Sequence, residues 1–86
     1  MSVAILEMPQ QLVEIPLQEL GSGQMARVAG LYGSHHAVAR LAEMGLRKDS
    51  LVSVTRGGIT SIVQLLNGSR LCVRTSHDLV IMVTPL

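Results

Sequence analysis

Phenylalanine and tryptophan are absent from this 86-residue chain, and Tyr32 is its single aromatic residue. Any core must therefore be filled by Leu, Val, Ile, Met and Ala, whose size suits closely layered strands. The same absence removes recognition by stacked aromatics. Cysteine is as scarce: Cys72 stands alone and cannot form an internal disulfide, whereas a secreted domain of this size usually carries several. A reducing, cytoplasmic compartment is the expectation. No apolar run approaches the roughly 20 residues that cross a bilayer. The strongest run is Leu79 to Val83, and the short Val3-Ala4-Ile5-Leu6 has no basic region ahead of it, so neither membrane insertion nor a secretion signal is expected.

Charge is sparse too, at 15% of residues with a formal net charge of +1, while 48% are apolar. That balance favours a packed core over disorder. A domain this small buries only roughly 60 to 65% of its unfolded surface, so its stability should be modest. The charge is unevenly placed. Glu7, Glu14 and Glu19 are unopposed by any Lys or Arg up to residue 26, which leaves the remainder at +4. This suits an acidic protein surface, but without a Lys/Arg stripe or stacking residues no nucleic-acid partner is expected.

Catalytic signatures are missing. There is no phosphate-binding Gly-rich loop, nucleophile elbow or metalloprotease helix motif, and Gly57-Gly58 lacks the Lys and Ser/Thr that would follow in a nucleotide loop, so it reads as a turn. The chain is expected to be no enzyme and to need no cofactor. His35, His36, Cys72, His77 and Asp78 are the candidate metal ligands. Adjacent histidines on a helix point apart and Cys72 lies five residues from His77, so no intramolecular site is expected. His35 and His36 read as a solvated helix start, and Cys72 as a small hydrophobe packed in a hairpin.

Residues 1–16, with Pro9, Pro16 and Gln10-Gln11, read as a lead-in holding at most a short edge strand; residues 17–86 read as one domain. Leu17 and Leu20 have the spacing of a single helical turn, broken by Gly21-Ser22-Gly23. Met25 to Leu31 reads as a strand, with Gly30 and Gly33 bracketing Tyr32 as a turn would. Ser34 is the N-cap of a helix from His35 to about Met44, whose inner face carries Val38, Leu41 and Ala42. Gly45 is its C-cap, placing Leu46 to fold back on Leu41. A strand alternating Val52 and Val54 follows, then the Gly57-Gly58 loop and a strand from Ile59 to Leu66. Asn67-Gly68 predicts a type I′ hairpin turn returning through Leu71 to Arg74, and a last strand from Leu79 to Val83 is stopped by Pro85. Some five strands and one helix suit a small closed barrel.

In order, these pieces are Leu17-x-x-Leu20-x-x-Gly23, the Val28 strand, a helix ending Leu41-x-x-Met44-Gly45-Leu46, Val52 and Val54, and Asn67-Gly68-x-x-Leu71-x-Val73-Arg74 leading to Ile81-x-Val83. The arrangement resembles the FeoA family over residues 17–83. The resemblance implies a mainly β fold, a small SH3-like barrel with one inserted helix. It also implies a cytoplasmic accessory of bacterial ferrous iron transport whose partner is a FeoB-like, GTP-hydrolysing membrane permease. Two alternatives stay open: an SH3-like interaction domain like that of metal-dependent repressors, and a transition-metal-ion-binding protein. A weak homo-oligomer also stays open. Where the family usually places Pro-Gly after the helix this chain has Lys48-Asp49-Ser50, which predicts a less rigid corner. SH3-like folds bind through loops and grooves, and apolar residues left uncovered beside the helix end would mark a contact site. The expected partner-binding surface is therefore Arg40, Met44, Leu46, Arg47, Lys48, Leu51, Gly57 and Gly58.

Overall fold

The computed structural model describes residues 13–86; of the lead-in read over residues 1–16, residues 1–12 lie outside the described residues. Strand β1 (Ile15–Pro16) leads into a single 3-10 turn at Leu17–Glu19. Then come β2 (Met25–Gly33), helix α1 (His35–Glu43), β3 (Leu51–Arg56), β4 (Thr60–Leu65), β5 (Arg70–Arg74) and β6 (Leu79–Pro85). All pairings are antiparallel, in the order β1-β6-β2-β3-β4-β5. The fold is mainly β with one helix, as the alternation and the Ser34 and Gly45 caps foretell. The hydrogen-bonded ladder has six strands and does not close, since β1 and β5 are its two ends.

The core is wholly aliphatic among its apolar members: Leu17, Leu20, Ala26, Val28, Leu41, Leu46, Val52, Val54, Val63, Leu65, Val73, Ile81 and Val83. β-Branched residues dominate because each strand gives one face to it, and each large side chain so buried contributes about 1.5–3 kcal/mol. Helix α1 adds little to it, with Leu41 its sole fully buried residue.

Two bulges decide which side chains face out. In β2 the register with β6 shifts between Val28 and Gly30; ahead of the shift Ala26 and Val28 point inward, and beyond it Leu31 packs on the core while Tyr32 is exposed. Alternation in β3 would carry Val52, Val54 and then Arg56 to the core. The register shift between Val54 and Arg56 spares the guanidinium that burial, turning Arg56 outward beside Ile62.

Three local readings are corrected. Gly30, Tyr32 and Gly33 do not form a turn but continue β2. Their glycines serve close approach: the Tyr32 phenol occupies the place of a Gly30 side chain, and the Asp78 carbonyl that of a Gly33 side chain. The β4–β5 connection is not type I′. Asn67 keeps a negative φ while Gly68 has +93°, and Gly68 N–H donates to the Leu65 carbonyl at 2.9 Å and Leu65 N–H to the Ser69 carbonyl at 2.8 Å. This is a type I turn closed by a left-handed glycine bulge, a turn that also recruits Asn-Gly. Pro85 does not stop β6 but lies within it, opposite Ala26, at a strand end where a missing N–H is tolerated.

Candidate docking surface at the helix end

Ser34 Oγ accepts from the Ala37 amide at 3.1 Å to start α1. The helix stops in a full Schellman motif: Leu46 N–H donates to the Leu41 carbonyl at 2.8 Å and Gly45 N–H to the Ala42 carbonyl at 3.0 Å, with Gly45 at φ +100°. That reversal sends Leu46 inward, where it is 1% exposed. The expectation that Leu46 is a surface anchor is thereby corrected: folding back on Leu41 and escaping solvent are one event in this motif. The three apolar residues beside the helix end part company. Leu46 is core, Leu51 is half-buried, and Met44 is exposed.

The corner after the helix is firmly held. Ser50 Oγ donates to the Gly45 carbonyl at 2.9 Å and accepts from the Arg47 amide at 3.0 Å. Asp49 N–H donates to the Val28 carbonyl and Val28 N–H to the Ser50 carbonyl, both at 2.8 Å. Without Pro-Gly, the corner is shaped by Asp49, which itself takes the left-handed conformation, φ +73°, and by the Ser50 hydroxyl, which crosslinks the turn. Arg47 and Lys48 are exposed on this clamped turn.

Beside them, α1 and β2 enclose an open groove of about 350 Å³, walled by Leu31, Val38, Ala42 and Leu46 with Tyr32, Arg47 and Lys48 also lining it. Tyr32 is 58% exposed. Arg40 and Met44 line a separate, smaller depression with Leu79, of about 200 Å³. Leu51 borders a third, of about 340 Å³, with Arg47 and Leu66. Tyr32 was missed in the sequence because its flanking glycines look like a turn; a lone aromatic followed by a helix cap was the available signal.

Gly57 and Gly58 do not join this surface. They follow the far end of β3, whereas Leu51 begins it, and six residues of strand set them roughly 20 Å apart. Gly57 is packed against the Leu20 carbonyl, which occupies the space of a side chain. The loop is tied to the fold, with the buried Ser61 hydroxyl donating to the Gly58 carbonyl at 2.6 Å.

Among the described residues no three of His, Cys, Asp and Glu converge. His77 and Asp78 meet at 3.4 Å on open surface. Cys72 is exposed rather than packed, because Leu71 and Val73 take the inward positions of β5. No helix among the described residues is long and apolar enough to cross a membrane.

Six antiparallel strands in one open sheet, with a single helix inserted between β2 and β3, define a small, mainly β domain. Residues 15–85 match the family model of the FeoA domain, and the chain belongs to the FeoA family. It is similar to a crystal structure described as that of an iron uptake regulatory protein (FeoA), with 26% identity and a TM-score of 0.73, covering 86% of this chain and all of that one. No curated protein matches the chain.

Proposed function

We propose that the chain is an accessory protein of ferrous iron transport that acts without catalysis of its own, on the cytosolic side, by docking on a FeoB-like permease. Family membership over residues 15–85 supports the pathway. The observation that carries the docking mode is the α1–β2 groove with Tyr32, Arg47 and Lys48 around it. A rigid aromatic beside an apolar trough supplies an anchor of low entropic cost, and cations on a fixed turn steer an acidic partner toward it. Leu46 and Ala42 line the groove, while Arg40, Met44 and Leu51 extend its neighbourhood; Gly57 and Gly58 lie outside it. The test is the affinity of the whole chain for the cytosolic part of the permease, measured by calorimetry. Saturable binding weakened by Tyr32→Ala and Lys48→Glu supports the reading. No association, with either the cytosolic part or the intact permease in membranes, overturns it.

A further inference from the structure

Strand β5 ends the sheet, pairing with β4 alone among the described strands. The phase of that ladder is fixed by bonds at both ends: Leu65 N–H to the Ser69 carbonyl at 2.8 Å, and Thr75 N–H to the Ile59 carbonyl at 2.9 Å. In an antiparallel pair bonded and non-bonded positions alternate. Leu71 and Val73 therefore turn their peptide groups toward β4, and Arg70, Cys72 and Arg74 turn theirs outward along the free edge. The side chains of these same three residues are exposed.

The edge is cationic. Arg70 and Arg74 stand on it about 13 Å apart, four strand residues at about 3.3 Å each. Arg56 joins their face through the row Arg56–Ile62–Cys72 that the ladder registers create. From Ser50 to His77 the sequence contains no Asp or Glu, and the ion pair found among the described residues, His77 with Asp78, involves none of these arginines. The β3 bulge that turns Arg56 outward thus completes a face of one sign rather than only sparing a buried charge.

We infer that the β5 edge is a second docking site, which captures an extended acidic segment of a partner protein as an added antiparallel strand. The main chain of Arg70, Cys72 and Arg74 would supply the rungs, and alternate carboxylates would lie beside Arg70 and Arg74, with Arg56, two strands further in, adding only to the positive field of the face. A second copy of the chain is disfavoured as occupant. Two β5 edges paired about Cys72 would set Arg70 opposite Arg74 twice, and like charges directly opposed destabilise a pair. The site stands on the free edge and its charge, independently of the docking proposed at the helix end.

The test uses the full chain and a blocked heptapeptide alternating glutamate and valine, with a lysine–valine peptide as control. Amide hydrogen exchange read by NMR should slow at Arg70, Cys72 and Arg74 on adding the glutamate peptide, with Leu71 and Val73 changing little. The double variant Arg70→Glu/Arg74→Glu, folded by circular dichroism, should bind that peptide about tenfold or more weakly and bind the lysine peptide instead. The neutral variant Arg70→Gln/Arg74→Gln should fall between them. Three results would each overturn the proposal. One is peptide binding unmoved by charge reversal. Another is protection of these three amides in the free chain, which would show that the edge is already covered. The third is displacement of the peptide by phosphatidylserine vesicles that bind the wild type but not the reversed variant, which would make the face a membrane contact.

Discussion

The phenol of Tyr32 lies over Gly30, so closely that a side-chain carbon added at Gly30 would sit 2.6 Å from its hydroxyl and 2.9 Å from the ring carbon bearing it. Gly30 is buried by this cover while Tyr32 stays largely exposed. The pair holds the chain's one aromatic ring against the sheet beside the α1–β2 groove. The obstructing atoms are the far end of a rotatable side chain, so Gly30→Ala should swing the ring away rather than break the sheet. The expected outcome is a loss of stability within about 1 kcal/mol, or a fall of roughly 4–8 °C in Tm, alongside weaker permease binding. Calorimetric melting and a binding titration of one preparation check both halves.

Gly57 presents the opposite case, because what occupies its side-chain space is the Leu20 backbone carbonyl, which cannot rotate aside. Gly57→Ala should therefore pry the β3–β4 loop from the 3-10 turn region and cost roughly 2–4 kcal/mol. Gly58 has open space around it and a φ of +107°, so Gly58→Ala should cost only backbone strain, about 1–2 kcal/mol. Denaturant titration of the two variants separates steric from conformational cost. Equal destabilisation would contradict the assignment.

Legibility followed the range over which each feature is specified. The Ser34 cap, the Gly45 stop and the inward Val52 and Val54 were readable because their causes lie within a few residues of chain. The surface was less readable for the same reason. Whether Leu46 faces in or out depends on the reversal at Gly45 completing, and whether Gly57 belongs near Leu51 depends on strand length. Gly30 and Gly33 look like turn residues until the partners that fill their side-chain space, Tyr32 on the same strand and Asp78 beyond β5, are known. The pattern Val52-x-Val54-x-Arg56 did contain a warning, since strict alternation would bury a guanidinium, and a bulge is the usual remedy.

Asp49 adopts φ +73° with its amide bonded to the Val28 carbonyl. Glycine reaches that conformation without steric cost, and Asp tolerates it only moderately. Asp49→Gly should raise stability by about 0.5–1 kcal/mol, net of the extra freedom glycine gives the unfolded chain. Because the main-chain bonds survive, Arg47 and Lys48 should keep their positions and permease affinity should not change. A lowered Tm would show that the Asp49 carboxylate contributes more than its backbone costs.

Leu46, Arg47 and Lys48 are consecutive, yet they should fail in different ways when given a negative charge. Leu46 is 1% exposed, so Leu46→Asp places a carboxylate in an aliphatic core and should cost about 3 kcal/mol or more, a large share of the margin of a small domain. Lost binding in that variant would report unfolding, visible in circular dichroism. Arg47→Glu and Lys48→Glu alter only exposed side chains on a turn held by Ser50, and should leave the Tm within a few degrees. Their effect belongs to encounter with an acidic partner. Association rates should fall several-fold at low ionic strength, and the deficit should shrink as salt rises toward 0.5 M and the Debye length contracts to about 4–5 Å. Stopped-flow association across a salt series distinguishes the cases. A deficit that persists at high salt would mean that Arg47 or Lys48 makes a desolvated contact rather than steering, and a deficit at no salt concentration would remove the corner from the docking surface.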